Sequence, residues 1–277
     1  MKRWNPEVLV PVCGACVLGS SVVLEVFYVL LSNPSPFQLP LLLLILYLLF
    51  NVVGNMLKFV STNSTIAGVF LEHDYVGQGW LYCYTCQTHV PPRCNHCYTC
   101  NVCVLRRDHH CTLLGNCVGF FNYRYFLCSL LYGWLSLLFA TILNAEIFIE
   151  LLHEGFSLHS LFLLFVPWMM LVLGKVKAST FLYAFVADTC IVGFLFCFAF
   201  LIFHLILLYH GVTTKEWFGG HASNNDKGWK RNVKNFLGER WYLVWLSPWI
   251  SSKLPGDGIH FEPGYLFVTE PSMMSTQ

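Results

Sequence analysis

Eight cysteines fall within the 35 residues from Cys83 to Cys117, and Asp108-His109-His110-Cys111 lies inside that stretch. Thiols and imidazoles at close, repeated spacing suit two chemistries: binding a soft metal ion, and attack by a thiolate with a base beside it. The ligand-type residues are Cys83-x2-Cys86, His89, Cys94, His96, Cys97-x2-Cys100-x2-Cys103, His109, His110, Cys111 and Cys117. A Cys-x2-Cys hairpin supplies two zinc ligands, and several in one segment are a strong signal. One alone is weak: Cys13 and Cys16 share the spacing but sit in an apolar run, where they read as buried thiols. Two closed Cys3His sites use six cysteines, leaving two of the eight over. Cys111 follows a His-His pair, where a nucleophile gains a neighbouring base. Cys94 is the other surplus thiol, and spacing leaves it eligible as a ligand. A purely structural zinc module without a nucleophile fits the same spacing.

The rest of the chain must carry this patch, and it is apolar. Of 277 residues, 56% are hydrophobic and 11% charged, against about 25% charged in soluble domains. Apolar runs at 8–31, 39–60, 126–149 and 181–209 each reach the roughly 20 residues a spanning helix needs. The first is too long for a signal-peptide core and a second follows at once, so it reads as a span. A shorter run at 161–174, around Pro167, is expected to be interfacial or re-entrant. Lys and Arg lie before the first run, between the second and third, and after the fourth, with Lys175 and Lys177 discordant. This predicts both termini and the cysteine patch in the cytosol. A reducing compartment argues against disulfides and for metal binding or catalysis. The net charge of +1 gives no reason to invoke nucleic acid.

The predicted fold class is an α-helical polytopic membrane protein. It has four transmembrane helices and a small zinc-stabilised, cysteine-rich cytosolic domain between spans 2 and 3. The expected organisation is 1–60 for the N-terminus and spans 1 and 2, 61–125 for the zinc domain, 126–210 for spans 3 and 4, and 211–277 for a cytosolic tail. Within the spans, Glu25 and Asp188 are expected to pair or snorkel. Asn51, Asn55 and His204 are expected to supply interhelical hydrogen bonds. Cys128, Cys190 and Cys197 read as packing residues, with Cys128 also a candidate for acylation. Residues 241–249 read as an amphipathic helix, at the membrane interface or packed on the domain.

Several motifs carry a family resemblance. Cys83-x2-Cys86, Pro92-Arg93-x2-His96-Cys97-x2-Cys100-x2-Cys103, Asp108-His109-His110-Cys111 and Cys117-Val118-Gly119-x2-Asn122 resemble the cysteine-rich domain of the DHHC protein S-acyltransferases, or palmitoyltransferases. Downstream, Thr213-Thr214-Lys215-Glu216 resembles the family's Thr-Thr-x-Glu motif, and Asn232-x3-Phe236 its C-terminal Asn-containing motif. The resemblance implies two structural Zn2+ ions, one on Cys83, Cys86, His96 and Cys103, the other on Cys97, Cys100, His110 and Cys117. It leaves Asp108, His109 and Cys111 as the reacting set: Cys111 the nucleophile, His109 its base, Asp108 the residue that orients the base. It further implies acyl-CoA, with palmitoyl-CoA as the expected donor, and cysteine-bearing, membrane-associated proteins as acceptors. The acyl chain is expected among the spans. Arg93, Arg106 and Arg107 are candidates for the CoA phosphates. A secretory-pathway membrane, Golgi or endoplasmic reticulum, is the expected location, with the active site facing the cytosol. Two departures stand out. Thr112-Leu113 replace the family's usual Pro-Trp, and residues 61–68 lack its Asp-Pro-Gly. The competing reading is a weakly active or inactive zinc-bearing adaptor that recruits partners. A transporter with a zinc sensor would need polar residues lining several spans, and these spans are nearly bare.

Overall fold

The structure is a computed structural model that describes residues 6–32, 36–67, 79–145, 149, 162, 166–220 and 226–260. Among these, four helices are long and apolar enough to cross a membrane: α1 (Pro6–Ser32), α2 (Gln38–Ser61), α3 (Tyr123–Leu143) and α5 (Ala178–His210). At 1.5 Å per residue, even 21 residues match a hydrocarbon core of about 30 Å. Leucine, valine and phenylalanine stay exposed around them, among them Leu43, Leu57, Val192 and Phe196, as expected where the surroundings are lipid. The described residues of the run at 161–174 contribute α4 (Pro167–Val172), six residues long. Among the described residues, two short helices follow α5: α6 (Thr214–Phe218) and α7 (Trp229–Leu237).

The chain forms two compact units. The first comprises Met1–Asn55 and Leu127–Phe203. Its core gathers Val26, Leu30, Ile45, Ala140, Val186 and Cys190. Glu25 is paired as expected: Asn144 Nδ2 donates to its Oε2 at 3.1 Å. The hydroxyls of Tyr47 and Tyr132 join α2 to α3 at 3.0 Å. The expectation for Asn51 and Asn55 needs correcting. Their amides donate to the carbonyls of Tyr47 and Asn51, four residues back on the same helix, so these bonds are intrahelical. Cys128 is buried to 1% exposure, which closes it to acylation and leaves it as a packing residue.

The second unit comprises Met56–Phe126 and His204–Gln277. Its described residues contain three antiparallel hairpins: β1 (Leu81–Cys83) with β2 (Thr88–Val90), β3 (Asn95–Cys97) with β4 (Val102–Val104), and β5 (His110–Cys111) with β6 (Asn116–Cys117). The pairings Cys83↔Thr88, Cys97↔Val102 and Cys111↔Asn116 recur at a 14-residue interval. Each turn contains a left-handed residue at the matching place, Gln87 (φ 51°), Asn101 (φ 51°) and Gly115 (φ 59°). Strands of two or three residues do not hold themselves together. A small core of Ile66, Val90, Cys94, Cys103, Leu105 and Phe120 supports them. Residues 241–249 form successive turns, not the amphipathic helix expected. Pro248 and the serines at 247, 251 and 252 favour turns over helix there.

Candidate active site

Two ligand clusters form in the second unit: Cys83, Cys86, His96 and Cys103; and Cys97, Cys100, His110 and Cys117. Every ligand of the second lies 14 residues after its counterpart in the first. In the first, His96 Nδ1 stands 3.7, 3.3 and 3.7 Å from the sulfurs of Cys83, Cys86 and Cys103. In the second, His110 Nδ1 stands 3.7, 3.3 and 3.6 Å from those of Cys97, Cys100 and Cys117. Tetrahedral zinc bonds of about 2.3 Å to sulfur and about 2.0–2.1 Å to nitrogen separate ligand atoms by about 3.5–3.8 Å. Both donor sets therefore fit Zn2+. In each, the amide of the knuckle's second cysteine donates to the first sulfur at 3.5 Å. The middle hairpin serves both clusters, giving His96 and Cys103 to one and Cys97 to the other.

Neither surplus thiol joins a cluster, and their surroundings differ. Cys94 is 4% exposed inside the hydrophobic core. Burial, and then the neighbouring Cys83 and Cys86, push its thiol up to about 12. It is a core residue. Cys111 is only partly buried, on β5, and its thiol lies close enough to the His109 imidazole to raise it. On its other side, His109 Nδ1 donates to Asp108 Oδ2 at 2.7 Å. Burial pushes the imidazole down, but the hydrogen bonds and charges of Asp108 and Cys111 outweigh it and lift it to about 9. Burial likewise pushes Asp108 up, and its bonds to His109 and Thr214 with the nearby imidazoles hold it below the ordinary carboxylate range.

The loop is anchored from several directions. Asp108 N bonds Val118 O and Val118 N bonds His109 O, both at 2.9 Å, extending the β5–β6 pairing past its ends. Asn122 Oδ1 accepts from Gly119 N at 2.8 Å, and its Nδ2 donates to Cys117 O at 2.9 Å. A Cβ on Gly119 would come within 2.8 Å of Ser64 and Val104, so only glycine fits there. The tail contributes too. Thr214 gives Asp108 two hydrogen bonds, N to Oδ1 at 2.9 Å and Oγ1 to Oδ2 at 2.7 Å. Thr213 and Glu216 form a reciprocal cap at the start of α6. The same Glu216 carboxylate takes Arg93 Nε and Nη2, each at 2.6 Å, in a buried bidentate pair. Burial raises the Glu216 pKa, and Arg93 more than offsets it.

The three candidate phosphate-binding arginines separate. Arg93 is committed to Glu216 and to Gly211 O at 3.1 Å. Arg106 is 3% exposed, donates to the carbonyls of Asn235 and Phe120, and stacks on Phe236 at 3.9 Å. Both are structural, which corrects the expectation that they meet CoA. Arg107 keeps a buried Nε with no hydrogen-bond partner among the described residues. Its charge lies close enough to depress Lys215, after burial the main influence on that amine. Lys215 was not singled out from the sequence, because its position inside the Thr-Thr-x-Glu motif is the unspecified one. His204, expected to bond between helices, does so: its Nδ1 shares a hydrogen bond with Tyr123 OH at 3.2 Å. Its ring lies 5.6 Å from that of His109, a proximity that no motif or spacing foretells.

A family model described as DHHC palmitoyltransferase matches residues 77–220. The chain belongs to this family. It is 56% identical over 216 residues to "Probable palmitoyltransferase ZDHHC24" of Danio rerio, across 78% of this chain and 73% of that protein. The Homo sapiens protein of that name is 47% identical over 258 residues, across 91% of this chain and 90% of its own length. "Probable protein S-acyltransferase 12" of Arabidopsis thaliana is 32% identical over 194 residues, covering 68% and 60%. Against the DHHC pattern, Thr112 and Leu113 replace Pro-Trp in a 3-10 turn between Cys111 and Gly115. Leu113 is 53% exposed there. With Thr112-Leu113 in that place, His109 Nδ1 still meets Asp108 Oδ2 at 2.7 Å.

Proposed function

We propose that this chain is an active protein S-acyltransferase working through a Cys111 acyl-enzyme, with palmitoyl-CoA the expected donor. The observation that carries the reading is the hydrogen-bonded series Thr214–Asp108–His109 with Cys111 beside His109 and its thiol outside both metal clusters. With the imidazole raised to about 9, His109 holds a proton at neutral pH and faces Cys111 as an imidazolium. Such a partner favours the thiolate, the attacking form. Asp108 fixes the ring so that Nε2 is the nitrogen that exchanges a proton with the thiol.

Cys111 Sγ attacks the thioester carbon, the acyl–sulfur bond to CoA breaks, and CoA leaves as its thiol, taking the proton from His109. An acceptor protein's cysteine gives its proton to the now neutral His109 and attacks the Cys111 thioester, and the Cys111–acyl bond breaks to return the Cys111 thiolate beside the imidazolium. Arg107 and Lys215 are the side chains we assign to the CoA phosphates. Two Zn2+ ions, held by the two Cys3His sets, supply the folding energy of the hairpins and take no part in the chemistry. The positive-inside count supports a cytosolic active site, and a secretory-pathway membrane remains the expected location.

The test is autoacylation of purified protein. Incubation with labelled palmitoyl-CoA is expected to give a hydroxylamine-sensitive adduct. Cys111→Ser should lose it while retaining zinc, because a serine hydroxyl yields its proton far less readily. An adduct of equal rate in Cys111→Ser, or none in the native protein, would move the adaptor reading ahead.

A further inference from the structure

A cavity of about 520 Å³ opens in the second unit, and Asp108, His109 and Cys111 do not line it. Six cationic side chains do: Arg93, Arg106, Lys227, Lys230, Arg231 and Lys234. Glu239 is the one carboxylate among the described lining residues, and it pairs with Lys234 at 2.6 Å. Like charges converging on a cavity oppose folding, and a bound anion relieves that opposition. Arg106 contributes fixed charge there, since neutral carbonyls hold its guanidinium in place, whereas the charge of Arg93 is balanced by Glu216.

The other four follow a pattern. Lys230, Arg231 and Lys234 stand at the i, i+1, i+4 positions of one side of α7, and Lys227 lies just before its N-cap, Gly228. The opposite side of α7 is anchored by buried Asn232 and Phe236. Asn232 Nδ2 also donates to Tyr209 O, at the end of α5, at 2.7 Å. The far wall, Pro255 to His260, is tied to the start of α3, where Arg124 donates to Ser252 O at 3.0 Å. The helix wall and the segment leading to the far wall are thus each bonded to the end of an apolar helix long enough to span. A positive-inside bias explains an excess of Lys and Arg, but not their collection into one concave face.

We propose that this cavity binds a compact ligand with two or more phosphate groups, distinct from the acyl donor. That chemistry is offered by a polyphosphoinositide lipid headgroup or by a soluble inositol phosphate. A basic cluster on an amphipathic helix next to a span reads as a phosphoinositide site. The concave shape suits a small polyphosphate better than a diffuse anionic surface.

The test uses the full-length protein. Soluble inositol trisphosphate is titrated into protein in detergent, with and without saturating CoA. In parallel, protein in phosphatidylcholine nanodiscs is compared with discs containing phosphatidylinositol bisphosphate, or phosphatidylserine at equal charge, by thermal unfolding. Saturable binding at one site per chain is expected in at least one arm, and the arm that responds identifies the source. Lys227→Gln/Lys230→Gln/Lys234→Gln should weaken it roughly tenfold or more, with zinc content and autoacylation in plain phosphatidylcholine unchanged. If the triple variant loses zinc, Lys230→Gln alone gives the reading. The proposal is overturned by absence of saturable binding in both arms, by undiminished binding to the variants, by equal stabilisation from phosphatidylserine, or by displacement with CoA. Binding is read independently of acyl transfer, so failure of the enzymatic reading would not be mistaken for failure here.

Discussion

The first two hairpins and the third are built to one plan and put to different use. Cys83-x2-Cys86 and Cys97-x2-Cys100 each close a two-stranded turn, with a left-handed residue just beyond, and both cysteines enter a Cys3His cluster. Fourteen residues further on, Cys111 occupies the place of Cys83 and Cys97, and Gly115 supplies the left-handed residue. The second cysteine of that knuckle is replaced by Leu114. One missing thiol leaves the turn without a metal and leaves Cys111 free to meet His109. The neighbouring His110 still ligates in the second cluster. The third hairpin is therefore fastened by the second hairpin's metal site while its own leading thiol stays reactive.

The largest effects should come from the two knuckles that hold metal. Cys83→Ser or Cys97→Ser should unfold the cysteine-rich domain, since structural zinc is worth about 10–16 kcal/mol of folding free energy in isolated fingers. Metal analysis should find two zinc ions in the native chain. One ion or none would break the comparison between the hairpins.

Next comes the contrast between adjacent histidines. His110→Ala should lower zinc content and destabilise the domain. His109→Ala should keep both ions and slow acyl-enzyme formation by about 10²–10⁴-fold, the usual worth of a positioned acid–base group. Equal metal loss in both variants would erase the distinction between a ligating and a reacting imidazole.

A third test restores the missing thiol. Leu114→Cys should draw Cys111 back toward the knuckle pattern. Treatment with diamide should then oxidise the Cys111 thiol and the introduced thiol to a disulfide, reducing the diazene to the hydrazine, and autoacylation should fall. Dithiothreitol should bring it back. Native protein under the same treatment is the control, and an identical response would mean that the third turn does not mimic the first two.

The smallest effect is on the pH dependence of stability. His109 is raised to about 9 from the ordinary value of about 6.5. The folded state thus holds the proton more tightly, and the contribution is fully present below about pH 6.5 and lost as pH rises through about 9. Its size is about 3 kcal/mol. Asp108 and Glu216 are depressed instead, so their contributions are present at neutral pH and lost as pH falls below the usual carboxylate range. Denaturant midpoints measured from pH 6 to 10 should decline in the native protein and flatten in His109→Ala. Parallel curves would refute the coupling of His109 to Asp108 and Cys111.

Much of this was legible in the sequence for a physical reason. Membrane spans declare themselves through length and apolarity, because lipid selects on those properties alone. Zinc ligands declare themselves through thiol and imidazole type, and the 14-residue interval between Cys83 and Cys97, Cys86 and Cys100, His96 and His110, and Cys103 and Cys117 stood in the sequence too. That leucine, not another cysteine, follows Cys111 at the knuckle spacing was equally visible. Other matters depended on long-range packing. Only the tertiary structure separated Cys94, sunk in the core, from Cys111, held against His109. Arg93 meets Glu216 across 123 residues and Thr214 meets Asp108 across 106. No local period or spacing encodes such pairs, since their distance in the chain says nothing about their distance in space. The fate of Arg93 and Arg106 was decided in the same way. A charged side chain on paper is an available charge, and burial against a carboxylate or a row of carbonyls turns it into part of the frame.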